Sequence, residues 1–389
     1  MNIQSFIIRV PQPVLDDLRL RLARTRWPDE IADSGWEYGA GLTYLKALVR
    51  YWQTDFNWRE QEIALNTFAH FRAEVDGLGI HFIHERGRGP RPLPLIITHG
   101  WPGSFAEMLK IIPLLTDPGT HGGDAADSFD VVVPSMPGYG FSDRPSQSGM
   151  NAFVIADLWA QLMAGLGYNR FGAQGGDWGA SVATCLGLNH AANLIGLHLN
   201  YIPGSYKPYL GAGARELSGP ERDFVEEQER WWQQEGGYAH VQGTTPQTLA
   251  CGLNDSPAGL AAWIVEKFRA WSDCEGEVER RFTRDELLTN ITIYWITETI
   301  HSSARLYYEA RKRPLHFNQG EGVKVPCAVA RFLKEAPFPP RAWVERSYNI
   351  ERWTEMPVGG HFAALEEPNL LVEDIRAFFR PLRYAGPHL

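Results

Sequence analysis

Apolar positions recur along this chain at two periods, and the switch between them divides it into segments. Residues 1 to about 70 read as helical and turn-rich. Pro13-Val-Leu-Asp-Asp-Leu-Arg-Leu-Arg-Leu has the pattern of an amphipathic helix with proline in its first turn. Trp27-Pro28 ends it, because proline disfavours a helical residue before it. A second helix is expected near Tyr44 to Trp52, where Tyr44, Leu45, Leu48, Val49 and Trp52 share one face. The period then shortens. Phe71 to His84 alternates about a glycine-containing turn, as a hairpin does.

Short buried-strand runs come next at Pro94-Leu-Ile-Ile-Thr and Asp130-Val-Val-Val-Pro, separated by a helical segment and a loop over Thr116–Ser128. A helix over Ala152–Gly165 precedes a strand near Phe171–Gln174, a helix from about Trp178, and the strand-like Leu194–Asn200. Strands alternating with helices predict an α/β fold built on a mainly parallel sheet with right-handed crossovers. From Tyr201 to about Gln319 this rhythm lapses into helices, expected at Arg222–Gln234, Ala258–Trp271 and Asp285–Arg311. It resumes with a strand at Val325–Phe332, a strand-like Ile350–Trp353 and a last helix over Leu370–Phe379. The division this suggests is an N-terminal extension (1–70), a core in two parts (71–200 and 320–389) and a helical lid (201–319) inserted between them.

Bulk properties narrow the setting. A length of 389 residues allows two or three domains, or one enlarged enzyme domain. A net charge of −9 speaks against a nucleic-acid partner and gives no attraction to an anionic membrane. The opening MNIQSFIIRV is too short an apolar run for a signal peptide, and no segment approaches the ~18 apolar residues of a membrane helix. Cys185, Cys251, Cys274 and Cys327 are widely spaced, which suggests neither a disulfide framework nor a zinc site. A cytoplasmic location is expected. Fourteen tryptophans and 14 tyrosines suit an aromatic-lined pocket as readily as ordinary core packing.

The chemistry concentrates at Gln174-Gly-Gly-Asp-Trp-Gly-Ala, between a predicted strand and a predicted helix. Gly175-x-Asp177-x-Gly179 has the form of a nucleophile elbow with aspartate at its centre. Small flanks permit the tight turn that holds the central side chain out beyond the sheet, and the helix N-terminus behind it favours an anion. A glycine-rich turn with an aspartate cap would look the same in isolation; residues further along the chain decide between the two. A carboxylate and then a histidine come after the elbow, the chain order of an α/β-hydrolase fold. His361, in Gly359-Gly-His-Phe, is the candidate base. Glu335, closest after the strand Val325–Phe332, is the candidate acid, with Glu345, Glu351 and Glu355 as alternatives. The turn His99-Gly-Trp-Pro-Gly-Ser comes after a strand, where an oxyanion-hole donor belongs, so the backbone N–H groups of Trp101 and Trp178 are assigned to that hole, and His99 to a structural place.

An aspartate nucleophile suits displacement at saturated carbon and leaves an ester of the enzyme's own side chain, which histidine-activated water then hydrolyses. The reaction class is therefore opening of a carbon–oxygen or carbon–halogen bond. A departing halide needs weak donors such as an indole N–H, and Trp178 is placed for that. An epoxide oxygen needs a proton donor, and phenols are suitable acids. Tyr238 and Tyr307 lie in the helical insertion, although composition alone does not single them out.

From end to end the chain resembles the microsomal-type epoxide hydrolases. The matching stretches are Thr25-Arg-Trp-Pro, His99-Gly-Trp-Pro-Gly-Ser, Gly175-Gly-Asp-Trp-Gly, Asn254-Asp-Ser-Pro-Ala-Gly-Leu-Ala-Ala, Thr289-Asn-Ile-Thr-Ile-Tyr-Trp and Gly359-Gly-His-Phe-Ala-Ala-Leu-Glu. The resemblance implies Asp177 as nucleophile, His361 as base, Glu335 as its partner, and Tyr238 with Tyr307 as the pair that polarises the epoxide oxygen. The spacing S-x-R-x-Y-x-E from Ser303 to Glu309 favours Tyr307 over its neighbour Tyr308. Leu333 stands where relatives commonly carry proline. Animal members bear an N-terminal membrane anchor that this sequence lacks, which implies a soluble, bacterial-type member. The expected partners are an epoxide and water, with no cofactor and no metal, and a homodimer stays open. A haloalkane dehalogenase is the alternative, and a catalytically silent scaffold is disfavoured by the intact Asp–Glu–His set. Trp231, Trp232, Trp263 and Trp271 hint at a bulky or aryl substrate.

Overall fold

The computed structural model describes residues 1–335 and 337–383; the end of the segment 320–389, from 384 on, lies outside them. Among the described residues nine strands form one sheet: β1 (Ile3–Ser5), β2 (His70–Val75), β3 (Leu78–Glu85), β4 (Leu93–Thr98), β5 (Phe129–Pro134), β6 (Phe171–Gly175), β7 (Leu194–Leu199), β8 (Val323–Arg331) and β9 (Tyr348–Glu355). Their order is β1-β2-β3-β5-β4-β6-β7-β8-β9. The pairs from β5 to β9 are parallel, and β1, β2 and β3 add antiparallel neighbours at one side. Helices Ala152–Gly165, Asp177–Asn189 and Pro368–Leu382 flank the sheet, whose central strands β5 and β6 are buried along their whole length. This is the α/β-hydrolase arrangement expected from the alternation of strands and helices.

Several elements depart from the sequence reading. β1 was not expected: three residues at a sheet edge carry too little alternation to register. The helix Trp58–Leu65, capped by the Asn57 side chain on the Arg59 N–H, was also missed. The first helix ends at Ala23, ahead of Trp27–Pro28. The helix expected over Asp285–Arg311 is two, Arg284–Thr297 and Ile300–Arg311. Between them Glu298 adopts φ 52°, and Thr297 Oγ1 bonds both Ile293 O (2.6 Å) and Thr299 Oγ1 (2.8 Å). Threonine hydroxyls compete with the backbone ladder, which lets the helix break with neither glycine nor proline.

The segment between β7 and β8 holds the helices Gly219–Glu235, Gly237–Thr244, Pro246–Leu253, Pro257–Trp271, Arg284–Thr297 and Ile300–Arg311. The N-terminal residues touch this insertion at several points: Arg21 meets Asp255 (2.5 Å), Tyr51 donates to Asp285 (3.0 Å), and Thr289 donates to Gln61 (3.3 Å). A buried ion pair ties the insertion to the core. Glu221, in the first turn of Gly219–Glu235, accepts from Arg346 Nε (2.7 Å), Arg346 Nη2 (3.0 Å) and its own cap Ser218 N (2.7 Å). The bonds from Arg346 hold the Glu221 carboxyl down at about 2.

A depressed carboxyl contributes stability that is complete above its unfolded value and is lost as pH falls toward its folded value. The Glu221 term should therefore disappear between about pH 5 and 2, and over that range Glu221→Gln should flatten the pH dependence of the unfolding free energy in urea. At neutral pH, Glu221→Ala should cost about 3 kcal/mol, because Arg346 is left without its carboxylate. An unchanged urea midpoint would remove this pair from the list of fold-defining contacts.

Candidate active site

Asp177 sits at the junction of β6 and the helix Asp177–Asn189, with φ 47°. A left-handed residue other than glycine costs about 1–3 kcal/mol and persists only where its surroundings enforce it. Here they do. A Cβ on Gly175 would strike the Gly179 backbone, one on Gly179 would overlap the Thr98 carbonyl, and one on Gly100 would meet Asp177 itself. The three glycines let β4, β6 and the helix approach closely enough to fix the turn.

The Asp177 carboxylate is divided between two partners. Oδ1 accepts the Trp101 backbone N–H at 2.7 Å, and Oδ2 lies 3.4 Å from His361 Nε2. Trp178 is the second residue of the helix, so its N–H has no intrahelical acceptor and remains available at the same end. The loop carrying Trp101 is anchored by the insertion, Asn290 Nδ2 donating to Pro102 O (2.8 Å) and Tyr294 Oη to Gly103 O (2.7 Å). The Trp101–Pro102 peptide is cis. His99 points elsewhere: Nδ1–H donates to Gly100 O (3.0 Å) and Nε2 accepts from Met136 N (3.2 Å). Burial pushes its ring down to about 4, so it stays neutral.

Behind the other ring, His361 Nδ1 lies 3.0 Å from both oxygens of Glu335. Glu335 is held by a turn in which its N–H reaches Phe332 O (3.1 Å) and Lys334 N reaches Gly359 O (2.9 Å); Leu333 is exposed on that turn. The alternative acids are engaged elsewhere, Glu345 with Arg341, Glu355 with Arg331 and Glu351 with Asn349. Burial opposes a charged His361 ring, yet Glu335 and Asp177 on its two sides outweigh it and hold the imidazole well above its ordinary range.

Two carboxylates that the sequence did not reveal shape the histidine loop. Glu366 accepts N–H groups of Asp273 (2.8 Å), Gly360 (3.1 Å) and Phe362 (2.9 Å), and Asp273 accepts that of Gly359 (3.0 Å). Burial raises the Glu366 carboxyl to about 7. In the sequence Glu366 is the last letter of Gly359-Gly-His-Phe-Ala-Ala-Leu-Glu, with nothing to set it apart from its neighbour Glu367.

Opposite Asp177, a cavity of about 560 Å³ opens beneath the insertion, lined among others by Asp177, Trp178, Tyr201, Trp232, Tyr238 and Tyr307. Tyr238, from Gly237–Thr244, and Tyr307, from Ile300–Arg311, face each other with ring centroids 5.8 Å apart. Trp101 stacks on Tyr238 (5.2 Å, 7°), and Trp178 meets Tyr307 edge-on (4.9 Å). Burial holds both phenols above their ordinary range, so both keep their protons. Tyr308 is exposed, with Lys312 over its ring. Of the four tryptophans noted in the sequence, only Trp232 lines this cavity; Trp271 packs on Tyr238 and His361, and Trp263 donates to Gln242.

Comparison with known proteins gives the family. Residues 3–108 match the family model "Epoxide hydrolase N terminus", and residues 94–200 match "alpha/beta hydrolase fold". A Stigmatella aurantiaca protein named "Putative epoxide hydrolase" is 45% identical over 98% of this chain and 86% of its own length. Epoxide hydrolase 1 of Sus scrofa is 40% identical over 97% of this chain and 88% of its own. The juvenile hormone epoxide hydrolase of the silkworm Bombyx mori superposes with a TM-score of 0.82 at 30% identity, over 98% of this chain and 94% of that one. These names lend no support to the dehalogenase alternative. No helix among the described residues is long and apolar enough to cross a membrane. With a continuous match of this strength, the chain belongs to the microsomal-type epoxide hydrolases, enzymes of the α/β-hydrolase fold.

Proposed function

We propose that this enzyme converts an epoxide to a vicinal diol through an ester on Asp177. The observation that carries the reading is a half-buried carboxylate with one oxygen on the Trp101 N–H and the other beside His361, facing a phenol pair across a cavity. Oδ1 is tied to the Trp101 N–H. That leaves Oδ2 to attack a ring carbon of the epoxide. The carbon–oxygen bond of the ring breaks as the Oδ2–carbon bond forms, and the departing oxygen takes a proton from the Tyr238–Tyr307 pair. Donation of this kind is typically worth 10²–10⁴ in rate.

In the second half-reaction Oδ1 is the ester's carbonyl oxygen, already seated against the Trp101 N–H and near that of Trp178. Water attacks the Asp177 carbonyl carbon while His361, steadied by Glu335, removes its proton. The oxyanion develops on Oδ1, where a lost donor costs about 3–4 kcal/mol. Collapse expels the diol with Oδ2 and returns a carboxylate carrying one oxygen from water.

Ester formation also changes the electrostatics of the base. It removes one of the two negative charges that hold a proton on His361, so the ring can pass that proton toward the tyrosinate and become a base when one is needed. Within this reading residues 201–319 act as the lid, and residues 1–70 brace it through the Arg21, Tyr51 and Gln61 contacts.

One experiment tests the order of bonds. In a single turnover in ¹⁸O-water, with enzyme in excess, the label should appear in the peptide containing Asp177 and the diol should carry unlabelled enzyme oxygen. A labelled first diol with an unlabelled protein means water attacked the epoxide directly.

A further inference from the structure

Besides the large cavity, a second one of about 20 Å³ adjoins the triad. Asp177 lines both, but His361 lines only the small one, together with Glu107, Gln174 and Asn200. A space of this size takes one water, provided that two to four polar groups receive it.

Those groups are present. Gln174, at the end of β6, is 1% exposed, and its Oε1 is buried with no partner among the described residues. Its amide is oriented by donation from Nε2 to Asn200 Oδ1 at 2.7 Å. A buried acceptor left unmatched is costly, and a single water would satisfy it. Glu107 belongs to the short turn Phe105–Met108 after the Trp101 loop. Its carboxyl fills the place where a Cβ on Gly103 would stand, which accounts for glycine there.

We propose that this chamber seats the water of the second half-reaction, and that Gln174 and Glu107 orient it toward the Asp177 ester. The assignment rests on the covalent reading above. A water has two hydrogens and two lone pairs. One hydrogen goes to His361 Nε2 and the other to Gln174 Oε1; one lone pair accepts the Glu107 O–H, and the other faces the Asp177 carbonyl carbon. Burial raises the Glu107 carboxyl to about 8, so it holds the required proton at neutral pH. The large cavity can then stay filled with substrate, since water is held on the side that His361 faces.

The test separates the two half-reactions by rapid quench and intact-protein mass. Gln174→Met and Glu107→Met, which remove the acceptor and the donor, should each slow ester hydrolysis at least tenfold. Alkylation should stay within about twofold, so the alkyl-enzyme should accumulate during turnover. Glu107→Gln keeps a donor and should stay within about threefold of the parent in both steps. Hydrolysis unchanged in both methionine variants overturns the proposal, and so does a parallel fall of both steps, which is the mark of mere loosening. A crystal structure of the unaltered protein gives a reading that needs no variant. It should show an ordered water within about 3.2 Å of Gln174 Oε1, and a dry chamber overturns the proposal. If the parent enzyme never gains substrate mass at any quench time, the covalent reading fails as well; if it does gain mass, that reading stands whatever the variants show.

Discussion

Asp177→Asn should leave a folded protein that gains no substrate mass and forms diol at least about 10⁴-fold more slowly. The two residues share a shape, so the turn at φ 47° and the glycines around it are undisturbed. Asparagine also tolerates the left-handed region. What is lost is charge: an amide oxygen is a poor nucleophile toward saturated carbon, and among the described residues no other carboxylate lines the large cavity. Glu107 and Glu335 are close by, but neither opens onto that space. Circular dichroism should match that of the parent, and intact mass after incubation with an aryl epoxide should be unshifted. A stoichiometric adduct in this variant would assign the nucleophile to another residue.

His361→Gln should give the opposite phenotype. Alkylation needs Oδ2 and the phenols, which this change spares, so the ester should form and persist, with hydrolysis slowed by about 10³-fold. The protein should gain the mass of one epoxide, and a burst of about one equivalent should precede a nearly flat progress curve. The same geometry sets the pH dependence. An imidazolium cannot take a proton from water, so in the parent the hydrolysis rate should rise with pH through the titration of His361 in the alkyl-enzyme, then level off. The variant should lack that limb. Rapid turnover without an adduct would show that His361 is not the base.

The legible parts of this site were those fixed by local sterics. Gly175, Gly179 and Gly100 are glycine because three backbone segments meet there, and that requirement is written in a few adjacent letters. The pairing of His361 with Glu335 was readable from chain order and the end of β8, though only the folded chain separates Glu335 from the other carboxylates nearby. The tyrosines were harder. Tyr307 and Tyr308 are one position apart on a helix, about 100° around its axis, and nothing local says which one turns inward. Resemblance supplied the choice, and burial of Tyr307 with exposure of Tyr308 agrees with it. Glu107 and Glu366 were not legible. Each is an acidic residue whose partners are backbone N–H groups brought in by folding, and a lone acidic residue usually reads as a solvated one.

The bonds from Asn290 and Tyr294 to the Trp101 loop bear on how molecules come and go. Swinging the insertion away at that point would strip two buried carbonyls of their donors and drag the Oδ1 clamp out of register. The rim where Trp232 and Arg311 meet solvent is then the expected way in for epoxide and out for diol. A roof pinned in this way should act as a fixed vault with a doorway, the clamp on Asp177 keeping its alignment while the contents are exchanged.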